Sequence, residues 1–340
     1  MNLELRHEQE EIVAAAARVL DRLDLAAPLR DVDWRQCGAM GWFALGVPET
    51  LGGVGFGAAE EALLFTELGR RSASGPFLGT VLAARVAAEH GLDLAPALLG
   101  GEVGVAVLEG DGPLRAYERR PGDLGLRIRP EGAELYGDEA LAGAQPLAGI
   151  DPRTAIEEVE PAGEPLAQWD ARAGLWERAL LLTAALLTGI AEGALAQSVE
   201  HVSSREQFGQ PVGAFQAVRH RCADMAIRAE AARSLTRFAS LSVDDGAPDL
   251  RFQVLSAVTI AREAALANAS ANIQNHGAIG FTGEHGAHLL VKRARVLSAR
   301  FGGRPAQLDC LLAAPGPRFE PASLSLGADV RRANTPCGSS

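Results

Sequence analysis

Apolar positions in the first hundred residues recur at helical spacing. In HEQEEIVAAAARVL, Ile12, Val13, Ala16 and Leu20 fall on one face, which predicts a helix over residues 7–20. Similar patterning predicts helices over about 32–40, 58–70 and 80–90. Pro48 and the Gly52-Gly53 pair break the helical pattern between the 32–40 and 58–70 helices, and Gly100-Gly101 closes the region. No strand-loop-helix unit surrounds either glycine pair, so both read as turns rather than phosphate loops.

From about Val103 the period shortens. VGVAVL, LGLRIR and AELYG are short alternating or apolar runs separated by Gly, Pro and Asp, which predicts a small β unit ending near Gln168. The Pro-Glu-Gly turn at 130–132 joins two of its strands as a hairpin. From Trp176 the helical period returns, with long helices expected over about 173–203, 215–242 and 250–275, the last capped by Asp249. A further helix over 286–299 and a last one ending at Ala313 follow. Residues 314–340 hold few large apolar groups and read as a poorly ordered tail. The organisation predicted is an N-terminal helical domain (1–102), a small β domain (103–170), a C-terminal four-helix bundle (171–313) and that tail.

With 43 acidic against 32 basic residues the formal charge is −11, which argues against a nucleic-acid or anionic-membrane partner. Cys37, Cys222, Cys310 and Cys337 lack metal or redox spacing and read as reduced thiols. The charged opening MNLELRHEQEEIV has no apolar stretch of a secretory signal, so a cytoplasmic location is expected. The most apolar run, residues 179–191, is shorter than the ~20 needed to span a bilayer and reads as a core helix, with Thr183 bonding back to its own backbone. A single lysine, Lys292, against 31 arginines points to GC-rich codon usage and a bacterial source. Glu284, His285 and His288 could be imagined as metal ligands, but no further ligand recurs at suitable spacing, so no metal is expected. The run Lys292-Arg293-Ala294-Arg295 reads as solvated charge near a helix end.

Three strings carry a family resemblance. SREQFGQPVGAFQAVRHRCADMAIRAEAAR (204–233) resembles the acyl-CoA dehydrogenase signature, IQNHGAIGFTGEHGAHLLVKRARV (273–296) its second signature, and GWFALGVPETLGGVGFG its first-domain loop. The resemblance covers essentially residues 1–313 and implies that family's mainly helical fold with a small, here reduced, β domain. It also implies a chemistry: FAD accepts a hydride from Cβ of an acyl-CoA, or another acyl thioester, while a carboxylate removes the Cα proton.

By the same resemblance Arg205, Gln207, Phe208 and Gln216 would contact the adenosine diphosphate half of FAD, and Gln274 with Gly277 would line its pyrophosphate. In the family this cradle serves a flavin bound mainly by a neighbouring subunit, so an oligomer is expected. The strongly apolar 179–191 helix, with that cradle motif, predicts that the C-terminal bundle is buried between chains. Taken alone, Arg205 would read as a solvated helix-end charge and Phe208 as core packing. The Thr-Glu-Pro, Gly-Ser-Asp and Trp-Ile-Thr-Asn strings that hold the flavin ring in the family do not occur here.

The catalytic glutamate of the family would fall at Phe301, or in a minority of members at Ala179. Neither side chain can accept a proton. Glu177 is the nearby carboxylate, but two residues along a helix turn by about 200°, which aims it away. The expectation is therefore a base-less subunit of a bacterial hetero-oligomer acting on a bulky thioester, such as a sterol side chain. A dehydrogenase partner would supply the glutamate, and electron-transfer flavoprotein is a further candidate partner. The alternatives are a protein that keeps the scaffold for a biosynthetic or non-redox role, and a lone flavoenzyme that uses another base, such as Glu177 after a local shift of the helix start, or that runs a reaction needing no carboxylate.

Overall fold

The structure, a computed structural model, describes residues 4–23, 25, 29–283 and 285–317. The tail expectation for 318–340 therefore lies outside the described residues, as do Glu284 and Cys337. Five helices come first: α1 (His7–Leu20), α2 (Asp31–Ala39), α3 (Ala58–Arg70), α4 (Phe77–Glu89) and α5 (Ala95–Leu99). The sequence periodicity missed α5, a single turn with Pro96 in its first turn, too short to show a face.

The β unit is one seven-stranded sheet. Its strands are β1 (Val105–Glu109), β2 (Leu114–Tyr117), β3 (Leu124–Arg129), β4 (Gly132–Tyr136), β5 (Gln145–Leu147), β6 (Ile156–Val159) and β7 (Ala167–Asp170), in the order β5-β6-β2-β1-β3-β4-β7. β1 and β3 run parallel, and β3 and β4 form the hairpin read from the Pro-Glu-Gly turn. Gly79 lets α4 lie directly on β1, since a Cβ there would stand 2.0 Å from the Val105 carbonyl oxygen.

The C-terminal helices are α6 (Leu175–Ser204), α7 (Gln216–Asp244), α8 (Leu250–His276), α9 (Ala287–Ala299) and α10 (Gly303–Ala313), with a two-stranded ribbon, β8 (Glu206–Gln207) and β9 (Gln210–Pro211), between α6 and α7. α6 is long and apolar enough to cross a membrane by length and composition, yet its most apolar window is 83% buried within this chain. It is apolar on all sides because α3, α7, α8 and α9 pack around it. This corrects one expectation: the 179–191 run is covered by the chain's own helices and gives no argument for burial between subunits. Glycines set the closest approach, for a Cβ on Gly189 would meet the Thr66 carbonyl oxygen at 2.0 Å and one on Gly69 the Leu186 carbonyl oxygen at 2.0 Å. Thr183 bonds back to the Ala179 carbonyl at 2.7 Å, as its core position predicts.

Two further expectations change. Asp249 stands at the N-cap of α8, but its carboxylate takes the Gln253 side-chain amide at 2.7 Å instead of a backbone N–H. Arg293 is not solvated. It is buried, donating to Glu118 at 2.7 Å, to Thr154 at 2.9 Å and to the Ala73 carbonyl, so it ties α9 to the sheet region and to the α3–α4 turn. The helix-end reading failed because Arg293 lies on the inward face of α9, where a charge needs fixed partners.

Candidate functional site

Two places decide what the chain can do chemically: the open end of the helical bundle and the turn between α9 and α10.

At the bundle end, the C-termini of α6 and α8 meet the N-terminus of α7. The imidazoles of His201 on α6 and His276 on α8 stack with centroids 4.1 Å apart, and His285 lies 4.3 Å beyond His276. Arg221 near the start of α7 donates to Asn275 at 2.8 Å. These contacts surround a pocket of about 370 Å³ bordered by Glu200, His201, Ser204, His276 and His285. Burial, then the neighbouring imidazoles, hold the pKa values of His201 and His285 below the ordinary histidine value.

Arg205 follows directly as the C-cap of α6, and the ribbon then turns back through Phe208 and Gly209. Both have positive φ, 55° and 79°, the geometry of a tight two-residue hairpin turn. For Phe208 that conformation is strained, and its ring is 91% exposed, resting edge-on against Phe215. Core packing is thus excluded for Phe208. Arg205, Gln207, Gln216, Gln274 and Gly277 are all exposed at this end. Gly277 has φ 64°, and a Cβ placed on it would find nothing within 4 Å, so its backbone is open to approach. The same end exposes Phe281 (75%) and Ile279. An exposed guanidinium, an aromatic face, side-chain amides and open backbone fit the phosphate and adenosine half of a dinucleotide.

The α9–α10 turn is the opposite case. Arg300, Phe301, Gly302 and Gly303 make it, with Phe301, Gly302 and Gly303 all at positive φ. Phe301 is only 7% exposed and belongs to the main apolar core, as does the fully buried Ala179. Glu109, the last residue of β1, closes the turn. Its carboxylate accepts from the Phe301 backbone N–H at 2.6 Å and from Arg300 Nε, while the Arg300 guanidinium lies 4.1 Å over the Tyr117 ring. The position at which the resemblance would put a base is packed with an aromatic ring and backed by an ion pair. Glu109, Arg300 and Tyr117 were not anticipated from sequence, since nothing local marks Glu109 as the partner of a residue 191 positions away.

Glu177 is engaged elsewhere. It accepts from Arg251 of α8 at 2.9 Å, and Arg251 in turn lies over Trp176, which agrees with the rotation argument. Among the described residues no group of His, Cys, Asp and Glu is arranged to hold a metal ion. His288 bonds the His285 carbonyl at 2.8 Å instead. Cys37, Cys222 and Cys310 are free thiols, and burial pushes Cys37 up to about 12.

The helical scaffold, the small sheet and the signature loop at the bundle end define the class, and the family comparison agrees. The acyl-CoA dehydrogenase N-terminal domain matches residues 4–93 and its C-terminal domain residues 175–313. The chain belongs to the acyl-CoA dehydrogenase family. Among particular relatives, it is 35% identical over 272 residues to the acyl-CoA dehydrogenase IpdE2 of Mycobacterium tuberculosis, covering 77% of this chain and 79% of that protein. The solved Tcur3481-Tcur3483 steroid acyl-CoA dehydrogenase variant superposes with TM-score 0.76 at 25% identity, over 90% of this chain and 97% of that one. The ChsE4-ChsE5 complex from Mycobacterium tuberculosis gives 0.76 at 23% identity, over 92% and 98%. PigA, solved with FAD and proline, gives 0.75 at 19%, over 92% and 98%, a likeness of fold.

Proposed function

We propose that this chain is the base-less subunit of a flavin-dependent acyl-CoA dehydrogenase hetero-oligomer, lending the adenylate cradle for FAD while a partner chain supplies the glutamate and the flavin-ring contacts. The observation that carries this reading is the Glu109–Arg300 closure behind Phe301. Cα deprotonation and Cβ hydride transfer occur on adjacent carbons, so a base and the flavin ring must flank one open slot. Here that position is apolar core. The bundle end, by contrast, is open, and the residues proposed for the cradle are exposed on it.

Bound there, FAD would supply the hydride acceptor. Arg205 would pair with its pyrophosphate, Phe208 would present an aromatic face, and Gln216 and Gln274 would offer side-chain amides. The names of the relatives, steroid dehydrogenase and two-protein complexes, favour a bulky acyl-CoA thioester as substrate and a second chain as partner. Electron-transfer flavoprotein is the proposed acceptor of the electrons, and the cytoplasm the proposed location.

The test is anaerobic mixing of the FAD-reconstituted chain, alone and with its chromosomal neighbour, with a panel of acyl-CoA esters while flavin bleaching is followed. Bleaching is expected only with the pair, and is expected to vanish when the partner's catalytic carboxylate is replaced by an amide. Stoichiometric enoyl-CoA formation by the lone chain overturns the proposal.

A further inference from the structure

α1, α3, α6 and α7 border a cavity of about 720 Å³, within the range of small-molecule sites. Its α6 wall includes Thr188. Thr188 follows Ala179 by nine residues, which at about 100° per residue places it on the opposite face of the helix. The cavity is therefore separate from the position at which the resemblance would put a base. It is also remote from the bundle end, because its α7 lining comes from the C-terminal half of that helix.

The charged groups of the wall are already committed to partners within the chain. Glu60 accepts from Arg6, Gln9 and the Gly57 N–H, and Asp244 accepts from the Ala58 and Ala59 N–H groups at 2.6 and 3.0 Å, so its charge sits on the positive end of α3. Arg70 pairs with Glu67 and Glu192, and Glu67 also with Arg71. Arg233 meets Glu192 and, from outside the lining, Glu230. Glu4 and Arg237 have partners of their own. A guest ion of either sign would find no uncommitted counter-charge here, and a charge taken out of water without one is costly. The wall therefore selects for an uncharged guest.

Val13, Ala62, Leu63 and Leu241 give that guest an aliphatic side. The hydroxyl groups of the lining are spent: Thr188 and Thr236 bond each other at 3.0 Å, Thr66 the Ala62 carbonyl and Ser240 the Arg237 carbonyl. Two polar atoms are left over. Oε1 of Glu192 and Nε of Arg233 are both enclosed and make no hydrogen bond. The Glu192 side chain is only 10% exposed, and its Oε1 stands 3.9 Å from Arg233 Nη1, beyond hydrogen-bond reach. An orphan acceptor facing the side chain of an orphan donor matches a head group that donates and accepts at once, as a primary amide does.

We propose that this cavity binds an uncharged amphiphile, a primary amide on a compact aliphatic body. The amide N–H donates to Glu192 Oε1, its oxygen accepts from Arg233 Nε, and the body lies against Val13, Leu63 and Leu241. The Arg233 side chain, 41% exposed, turns to admit the head. Glu192 keeps Arg70 through its other oxygen, so that ion pair survives binding. The site does not rest on the cradle reading.

Isothermal titration of the full-length chain with adamantane-1-carboxamide tests this, with adamantane-1-carboxylate and 1-adamantylammonium as the same body carrying either charge. Saturable one-to-one binding of the amide is expected, and binding weaker by about tenfold or more for both ions, as follows from burying a charge without a partner. Glu192→Gln is expected to reverse the order of amide and acid, because Arg70 and Arg233 then lose a counter-charge. A merely structural role of Glu192 would weaken both alike. Val13→Trp and Leu241→Trp fill the aliphatic side from different helices, keep every charge, and are expected to abolish binding while the wild-type circular dichroism is retained. FAD retention should be the same in all these variants, so failure here is distinct from failure of the cradle reading. Equal or tighter binding of either ion by the wild type, an unreversed order in Glu192→Gln, an undiminished amide affinity in either filled variant, or no saturable heat with the amide overturns the proposal.

Discussion

The backbone N–H of Phe301 donates to the carboxylate of Glu109 at 2.6 Å, and the same carboxylate holds Arg300, so one side chain from β1 fixes two successive residues of the α9–α10 turn. The left-handed conformations of Phe301, Gly302 and Gly303 leave that turn short of regular helical hydrogen bonds. Glu109 replaces them. Glu109→Gln keeps an acceptor for the Phe301 N–H but strands the buried Arg300 charge, and breaking a buried pair from one side costs about 3–5 kcal/mol. Urea denaturation of the variant should show a midpoint lowered accordingly. An unchanged midpoint would mean that Arg300 over Tyr117 suffices to hold the turn.

Arg205 caps α6 with its guanidinium exposed and, among the described residues, without a side-chain hydrogen bond, so its truncation leaves the fold intact. In the assembled complex, Arg205→Ala is expected to lose about 1.5–3 kcal/mol of FAD affinity, the range for hydrogen bonds to a charged group. Flavin absorbance after gel filtration measures it. Full retention would separate Arg205 from the cofactor.

The scaffold was legible in the sequence where periodicity or turn chemistry is local. The α1 face of Ile12, Val13, Ala16 and Leu20 and the Pro-Glu-Gly hairpin needed no knowledge of the rest of the chain. Glu177 was also legible, because its direction follows from helix rotation and Arg251 confirms it. Glu109 was not. Its meaning depends on Arg300, which only the folded chain brings near. Arg293 failed for a related reason: a cation late in a helix looks solvated until Glu118, in the left-handed region at φ 62°, is seen to meet it in the interior. The cradle residues rest on resemblance, and the structure adds that they share an open surface.

Helix α6 crosses α3 where Gly189 meets the backbone of Thr66 and Arg70. A Cβ at Gly189 would stand 2.0 Å from the Thr66 carbonyl oxygen and 2.6 Å from the Arg70 nitrogen, and neither atom can swing aside. Gly189→Ala is expected to destabilise the chain by about 1–3 kcal/mol, the range for overpacking, despite the better helix propensity of alanine. Gly143→Ala, with nothing within 4 Å of its Cβ, is the control and is expected to be close to neutral. Thermal melts of the two variants side by side decide the point.

The stacked imidazoles at the bundle end make stability depend on pH in a defined direction. Burial and neighbouring rings depress the pKa values of His201 and His285, so the folded chain resists protons that the unfolded chain accepts near the ordinary value of about 6.5. The unfolded state then binds more protons, and stability rises with pH across that window. The contribution is whole above about pH 6.5 and declines as pH falls through it toward the lower folded values. Asp21, Asp33 and Glu60 have depressed pKa values too, but carboxylates act near pH 4, below this window. Melting temperature should therefore fall between pH 7.5 and 5.5, and the fall should shrink in the His201→Asn/His285→Asn double variant, which removes the two depressed imidazoles and leaves His276 bonded to the Asn272 carbonyl at 2.8 Å. Identical slopes in the wild type and the double variant would assign the pH dependence to other groups.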